Sequence, residues 1–196
     1  GQQIQRPDAR GSAGLLVALA WLFGRSPEKL SGQLVVIDDR TDPEKLPSHL
    51  ALALQPSSSC IWLQLNRPTV YPENSADARQ TNRWLALPDV LGINLTIDEK
   101  STLKIDATAL GSALAETLAE IKSSVGISRS QLIKMLSETL ISQEGHGCTA
   151  ALIAQVNDLS LNINLHYLSP LARHVVRAYS SAVVTLLGLE STPEVG

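Results

Sequence analysis

Cysteine is scarce in this chain of 196 residues: there are two, Cys60 and Cys148, far apart and without Cys-x-x-Cys spacing. That usage excludes a disulfide scaffold and leads to the expectation of a reducing, cytoplasmic setting. Aromatic residues make up 4%, with three Trp, three Tyr and one Phe, so the core has to be filled mainly by Leu, Ile, Val and Ala. Neither sign of charge dominates. Lys and Arg number 16 against 19 Asp and Glu, a net charge of −3, which lacks the basic footprint of a dedicated nucleic-acid binder. No apolar run reaches the roughly 18 uncharged residues of a membrane-spanning helix. No fixed repeat period is present either, which disfavours solenoids and propellers.

Hydrophobic residues, at 44%, are plentiful enough to exclude intrinsic disorder. Their arrangement changes along the chain. Residues 1–98 hold eight of the ten prolines and all three tryptophans, while residues 99–196 hold only Pro170 and Pro193. Proline fixes φ and removes a backbone donor, so the front half is expected to consist of short elements and the back half of longer helices. The sequence Arg6 to Phe23, two arginines ahead of an apolar stretch, imitates a signal peptide but lacks a small-residue cleavage site. Ala13 to Phe23 therefore reads as a buried helix, capped by Ser12 and stopped by Gly24.

Further elements follow from periodicity. Gln33 to Ile37 is a short β-branched run expected to be a buried strand, and Asp42-Pro43-Glu44 a helix cap and first turn. Cys60 to Leu65 alternates as a strand, Asn66 to Asn74 reads as loop and Ser75 to Trp84 as a short helix. Alternation at Ile93, Leu95, Ile97, Leu103 and Ile105 about a turn-rich Asp98 to Ser101 predicts a hairpin. From Ala107 the period becomes helical, with Leu110, Leu114, Leu118, Ile121 and Val125 on one stripe and Gly126 as the stop. Ser128-Arg129-Ser130-Gln131 is a capping box opening a helix to about Ile141. A third helix is expected near Thr149 to Asp158, a strand at Leu161 to Leu165, and a last helix from Ser169-Pro170 to Gly188.

Several constellations could carry chemistry. Gly11-Ser12-Ala13-Gly14, an apolar helix, a strand and then Asp38 and Asp39 follow the order of a dinucleotide fold, but the third glycine and the opening strand are missing. Asp38, Asp39 and Asp42 could hold a hard cation, although capping and strand termination account for all three. His146 and Cys148, after Glu144, have only Cys60, His49, His166 and His174 to complete a metal site, at no recognisable spacing. Arg173 and Arg177 are four apart on the last helix and, with His166, Tyr167 and His174, could clamp a carboxylate or phosphate. Arg79 and Arg83, also four apart, stand beside Trp84, a common interface composition. The Ser128 helix could imitate a helix-turn-helix, but beyond Arg129 and Lys134 it carries little positive charge.

The reading is an α+β protein. Residues 1–98 form a mixed α/β subregion of short strands and helices, and residues 99–196 a mainly helical one with a β-hairpin at the junction, as one continuous domain. No titratable cluster has catalytic spacing, and no cofactor or metal is expected. The sequence points to a non-enzymatic interaction or assembly module that self-associates or binds a protein partner through Arg173, Arg177, His174, Tyr167, Arg79, Arg83 and Trp84. Two alternatives remain: a small nucleotide-binding protein or enzyme using Ser12, Asp38 and Asp39, and a nucleic-acid-associated structural protein using the arginine pairs.

Overall fold

The computed structural model describes residues 9–70, 81–90, 107–144, 147–154 and 171–188. Its architecture is α+β, a four-stranded mixed sheet with helices on one face. Helix α1 (Ala9–Phe23) is followed by the short α2 (Pro27–Ser31) and strand β1 (Leu34–Val36). A crossing segment with a 3-10 turn at Pro43–Lys45 leads to β2 (Leu52–Gln55), β3 (Cys60–Val70) and β4 (Thr81–Pro88). Helices α3 (Ala107–Val125), α4 (Arg129–Glu144), α5 (Gly147–Ile153) and α6 (Ala172–Leu186) complete the described chain. Among the described residues no helix is long and apolar enough to cross a membrane.

The strands lie in the order β1-β2-β3-β4, the first pair parallel and the others antiparallel. Alternation assigns the two faces. Leu52, Leu54, Ile61, Leu63, Leu85 and Leu87 project to one side, where they share one core with the buried residues of α1, α3, α4, α5 and α6, α5 lying against β3 and α6 against β4. Their register keeps them together, with Leu52 opposite Leu63, Leu54 opposite Ile61, and Leu85 opposite Leu63. Ala53, Trp62 and Trp84 project to the other side, where the crossing segment covers them with Ile37, Leu46 and Leu50. Glu44 ties that segment to the far edge of the sheet, its carboxylate accepting the Trp84 N–H at 3.1 Å and the Arg83 N–H at 3.3 Å.

The first helix ends on Gly24, whose φ of +60° reverses the chain while the Arg25 N–H reaches back to the Ala20 carbonyl at 3.1 Å. A methyl group added at Gly24 would stand 2.7 Å from the Ala154 Cβ and 3.1 Å from the Ile133 carbonyl oxygen, so α1 meets α4 and the end of α5 through bare backbone. The next residue, Arg25, is buried and donates to the Gln64 carbonyl at 3.1 Å, and burial pushes its guanidinium down to about 10. The capping box at Ser128 forms as expected. The Gln131 side chain accepts the Ser128 N–H at 2.8 Å, and Ser128 Oγ accepts the Gln131 N–H at 3.3 Å.

Three expectations are corrected. Ser12 does not cap α1, because the helix begins at Ala9 and encloses it. The loop expected from Asn66 is strand as far as Val70, and the helix expected to reach Trp84 is strand from Thr81. In both cases pairing won over local composition. Pro68, which suggested a loop, falls within an irregularity between Gln64 and Thr69, where a strand tolerates the missing donor. The expected hairpin at 93–105 and strand at 161–165 lie outside the described residues.

Candidate functional site

The last helix presents two unlike faces. Ala172, Val175, Ala178, Tyr179, Ala182 and Val183 are buried, and Tyr179 stacks on Phe23 with ring centroids 5.6 Å apart. Opposite them Arg173, Arg177, Ser181 and Thr185 stand four apart in an exposed row, with His174 exposed beside Arg173. The two arginines lead the row, and two small hydroxyl residues continue it. Gln143 of α4 donates to the Thr185 hydroxyl at 2.5 Å and so fixes the far end.

Electrostatics make the near end unusual. A helix N-terminus carries a partial positive charge, which favours acids in the first turn and disfavours cations. The first turn of α6 holds no acid, carries Arg173 and His174, and has Leu171 at the N-cap, which offers no side-chain acceptor. A comparable arrangement at α4 is compensated: Arg129 in its first turn is paired with Glu28 at 2.6 Å and with the Ser26 hydroxyl at 3.1 Å. Partial burial pushes the Glu28 carboxyl up, but hydrogen bonds from Ser26 and Arg129 and the Arg129 charge hold it below its usual range. Arg10 likewise meets Glu120 at 2.8 Å. Among the described residues Arg173 and Arg177 have no such acid.

Other expected site residues are dispersed. Arg83 is exposed but sits on β4 rather than on a helix, so it shares no helical face with Arg79, which lies outside the described residues along with Tyr167. Trp84 is 1% exposed and belongs to the core behind the sheet, which removes it from any contact surface. Alternation explains the contrast: Arg83 follows the side of Leu85 and Leu87 beyond their buried ends, while Trp84 turns beneath the crossing segment.

The carboxylates of the nucleotide-binding alternative are engaged elsewhere, and its glycine turn is helix. Gly11 to Gly14 lie inside α1 rather than in a turn between strand and helix. Asp38 closes a turn, accepting the Thr41 hydroxyl at 2.6 Å and the Arg40 N–H at 3.1 Å, and the Thr41 bond holds its carboxyl below the usual range. Asp39 accepts from the Gln55 side-chain amide at 3.2 Å and from Ser57, while the Gln55 side-chain oxygen accepts the Trp62 indole N–H at 2.8 Å. Asp42 caps the 3-10 turn through the Glu44 N–H. These bonds give each carboxylate a structural task, and no group of three His, Cys, Asp or Glu among the described residues could hold a metal ion. Cys60 is a half-buried free thiol, pushed up by burial, while His146 and the side chain of Cys148 lie outside the described set.

The continuation of the row through Ser181 and Thr185 was legible at the same spacing of four, but hydroxyl residues carry no charge to draw notice to it. Comparison with known proteins adds no assignment: no family model, curated protein or solved structure matches the chain.

Proposed function

We propose that this protein is a non-enzymatic interaction module whose α6 face binds an acidic protein surface. One observation carries the reading: Arg173 occupies the first turn of a helix, where its charge opposes the helix dipole, and Arg177 stands on the next turn, with no carboxylate among the described residues to offset them. Such an arrangement lowers the stability of the isolated chain and is relieved when a partner brings carboxylates. A planar guanidinium takes a carboxylate in two parallel hydrogen bonds, so two arginines one turn apart suit two acids similarly spaced on a partner. Beyond them Ser181 and Thr185 leave a low surface along which a second helix can lie.

A second copy of the chain is one partner of this chemistry, since Glu116 and Glu138 are exposed on α3 and α4. Sedimentation velocity over about 1 to 500 μM measures that case. Fluorescence anisotropy with a labelled poly-glutamate peptide measures acidic partners in general. The reading expects saturable binding of the peptide or self-association, each weakening as salt rises. A monomer at all concentrations that ignores poly-glutamate refutes it. Preferential binding of a DNA duplex over the peptide would instead favour phosphate recognition.

A further inference from the structure

A cleft of about 230 Å³ opens between α1, β1, α3 and the segment before β2. Its mouth is polar and exposed, with His49, and its floor is apolar, formed by Leu16, Leu34, Leu50 and Leu110. Ser12 stands in the wall. It is 3% exposed, and its hydroxyl has no hydrogen-bond partner. A buried hydroxyl left unsatisfied is costly, and a serine inside a helix ordinarily relieves that cost by bonding a carbonyl one turn back. Thr117, Thr139 and Ser180 do so in this protein, each bonding the carbonyl four residues earlier at 2.8 to 2.9 Å. Ser12 does not, so the polar atom and the adjoining empty volume call for a common occupant.

We propose that this cleft is a binding site for a small neutral alcohol or phenol, held by Ser12 through its hydroxyl and by the leucine floor through its hydrocarbon part. Size selects the class. An apolar cavity of roughly 150 Å³ accommodates benzene, whereas drug-sized ligands need about 300 Å³ or more, so this volume suits a single ring or a short chain with one polar substituent. Charge selects it too, because among the described residues no Asp, Glu, Lys or Arg lines the cleft to receive an ion, and His49 stands at its exposed mouth rather than on the floor. Ser12 Oγ is shielded from water in the empty cleft, and rotation among the three staggered χ1 positions is the movement that presents it to a ligand. The site is separate from the α6 face and does not depend on its role.

Phenol and benzene, which share a ring and differ by one hydroxyl, are the probes. Titration of the isotope-labelled full chain, followed by amide shifts of α1, β1 and α3, should show saturable binding of phenol at millimolar concentration, about fivefold or more tighter than benzene. Ser12→Ala should abolish that preference while leaving benzene bound and the thermal midpoint equal or higher. Leu110→Trp, at the half-buried edge of the floor, should block both ligands. Absence of saturable binding of either probe by about 10 mM overturns the proposal. Equal affinities for the two probes in the parent chain, or a phenol preference that survives Ser12→Ala, overturn it as well.

Discussion

Replacing Gly24 with alanine tests how α1 meets α4 and α5. Two penalties combine. A residue with a Cβ held at φ +60° costs about 1 to 2 kcal/mol relative to glycine. The new methyl would then lie 2.7 Å from the Ala154 Cβ and 3.1 Å from the Ile133 carbonyl oxygen, and such overpacking costs roughly 1 to 3 kcal/mol more. The sum, about 2 to 5 kcal/mol, is a large part of the 5 to 15 kcal/mol by which domains are ordinarily stable. Urea unfolding followed by tryptophan fluorescence measures it, provided the transition is two-state. A double-mutant cycle separates the two terms: adding Ala154→Gly removes the atom that is struck, so the double variant should recover about 1 to 2 kcal/mol relative to additive losses, while the cost of the left-handed backbone stays. A Gly24→Ala protein within about 0.5 kcal/mol of the parent, or strict additivity in the cycle, refutes the close approach.

Other residues give further outcomes. Tyr179 is fully buried, its hydroxyl has no hydrogen-bond partner, and burial pushes its phenol up. Tyr179→Phe should therefore raise stability by about 1 kcal/mol in thermal or urea melts, and a loss of that size would mean the hydroxyl is bonded after all. Because the folded protein disfavours the tyrosinate, this contribution to stability is complete below the unfolded value of about 10 and is lost as pH rises above it. The alkaline limb of the stability profile should thus be shallower in Tyr179→Phe, and an unchanged limb counts against the burial. Leu114 is 4% exposed and Leu118 only half-buried. Leu114→Asp should abolish cooperative unfolding, whereas Leu118→Asp should leave a weakened but folded chain, as circular dichroism would show; equal effects would contradict their placement.

Helices and their ends were legible because their signals are local. The α3 stripe, the Gly24 and Gly126 stops and the Ser128 capping box depend on residues within one or two turns. Val125 departs from its stripe, being 65% exposed as the last residue of α3. Strand β4 was not legible, since Thr81 to Pro88 owes its conformation to β3 and to the Glu44 carboxylate 40 residues earlier. The burial of Trp84 depended on the same pairing. Arg173, His174 and Arg177 could be grouped from spacing alone, but that no carboxylate among the described residues pairs with the two arginines could not, because it depends on where Glu28 and Glu120 are spent on other arginines. The cleft around Ser12 was likewise hidden, its walls being separated by about a hundred residues between Ser12 and Leu110.

Opposed changes in stability and binding on charge reversal provide the most direct measure of the α6 face. Arg173→Glu with Arg177→Glu places acids where the helix dipole favours them, worth about 0.3 to 1 kcal/mol for the first-turn position at low salt, and removes the groups that would meet a partner's carboxylates. Urea unfolding and poly-glutamate anisotropy on the same preparations should show a chain slightly more stable than the parent that binds the acidic peptide at least about tenfold more weakly. A double variant that is destabilised, or that binds as the parent does, contradicts the assignment of this face to an acidic partner.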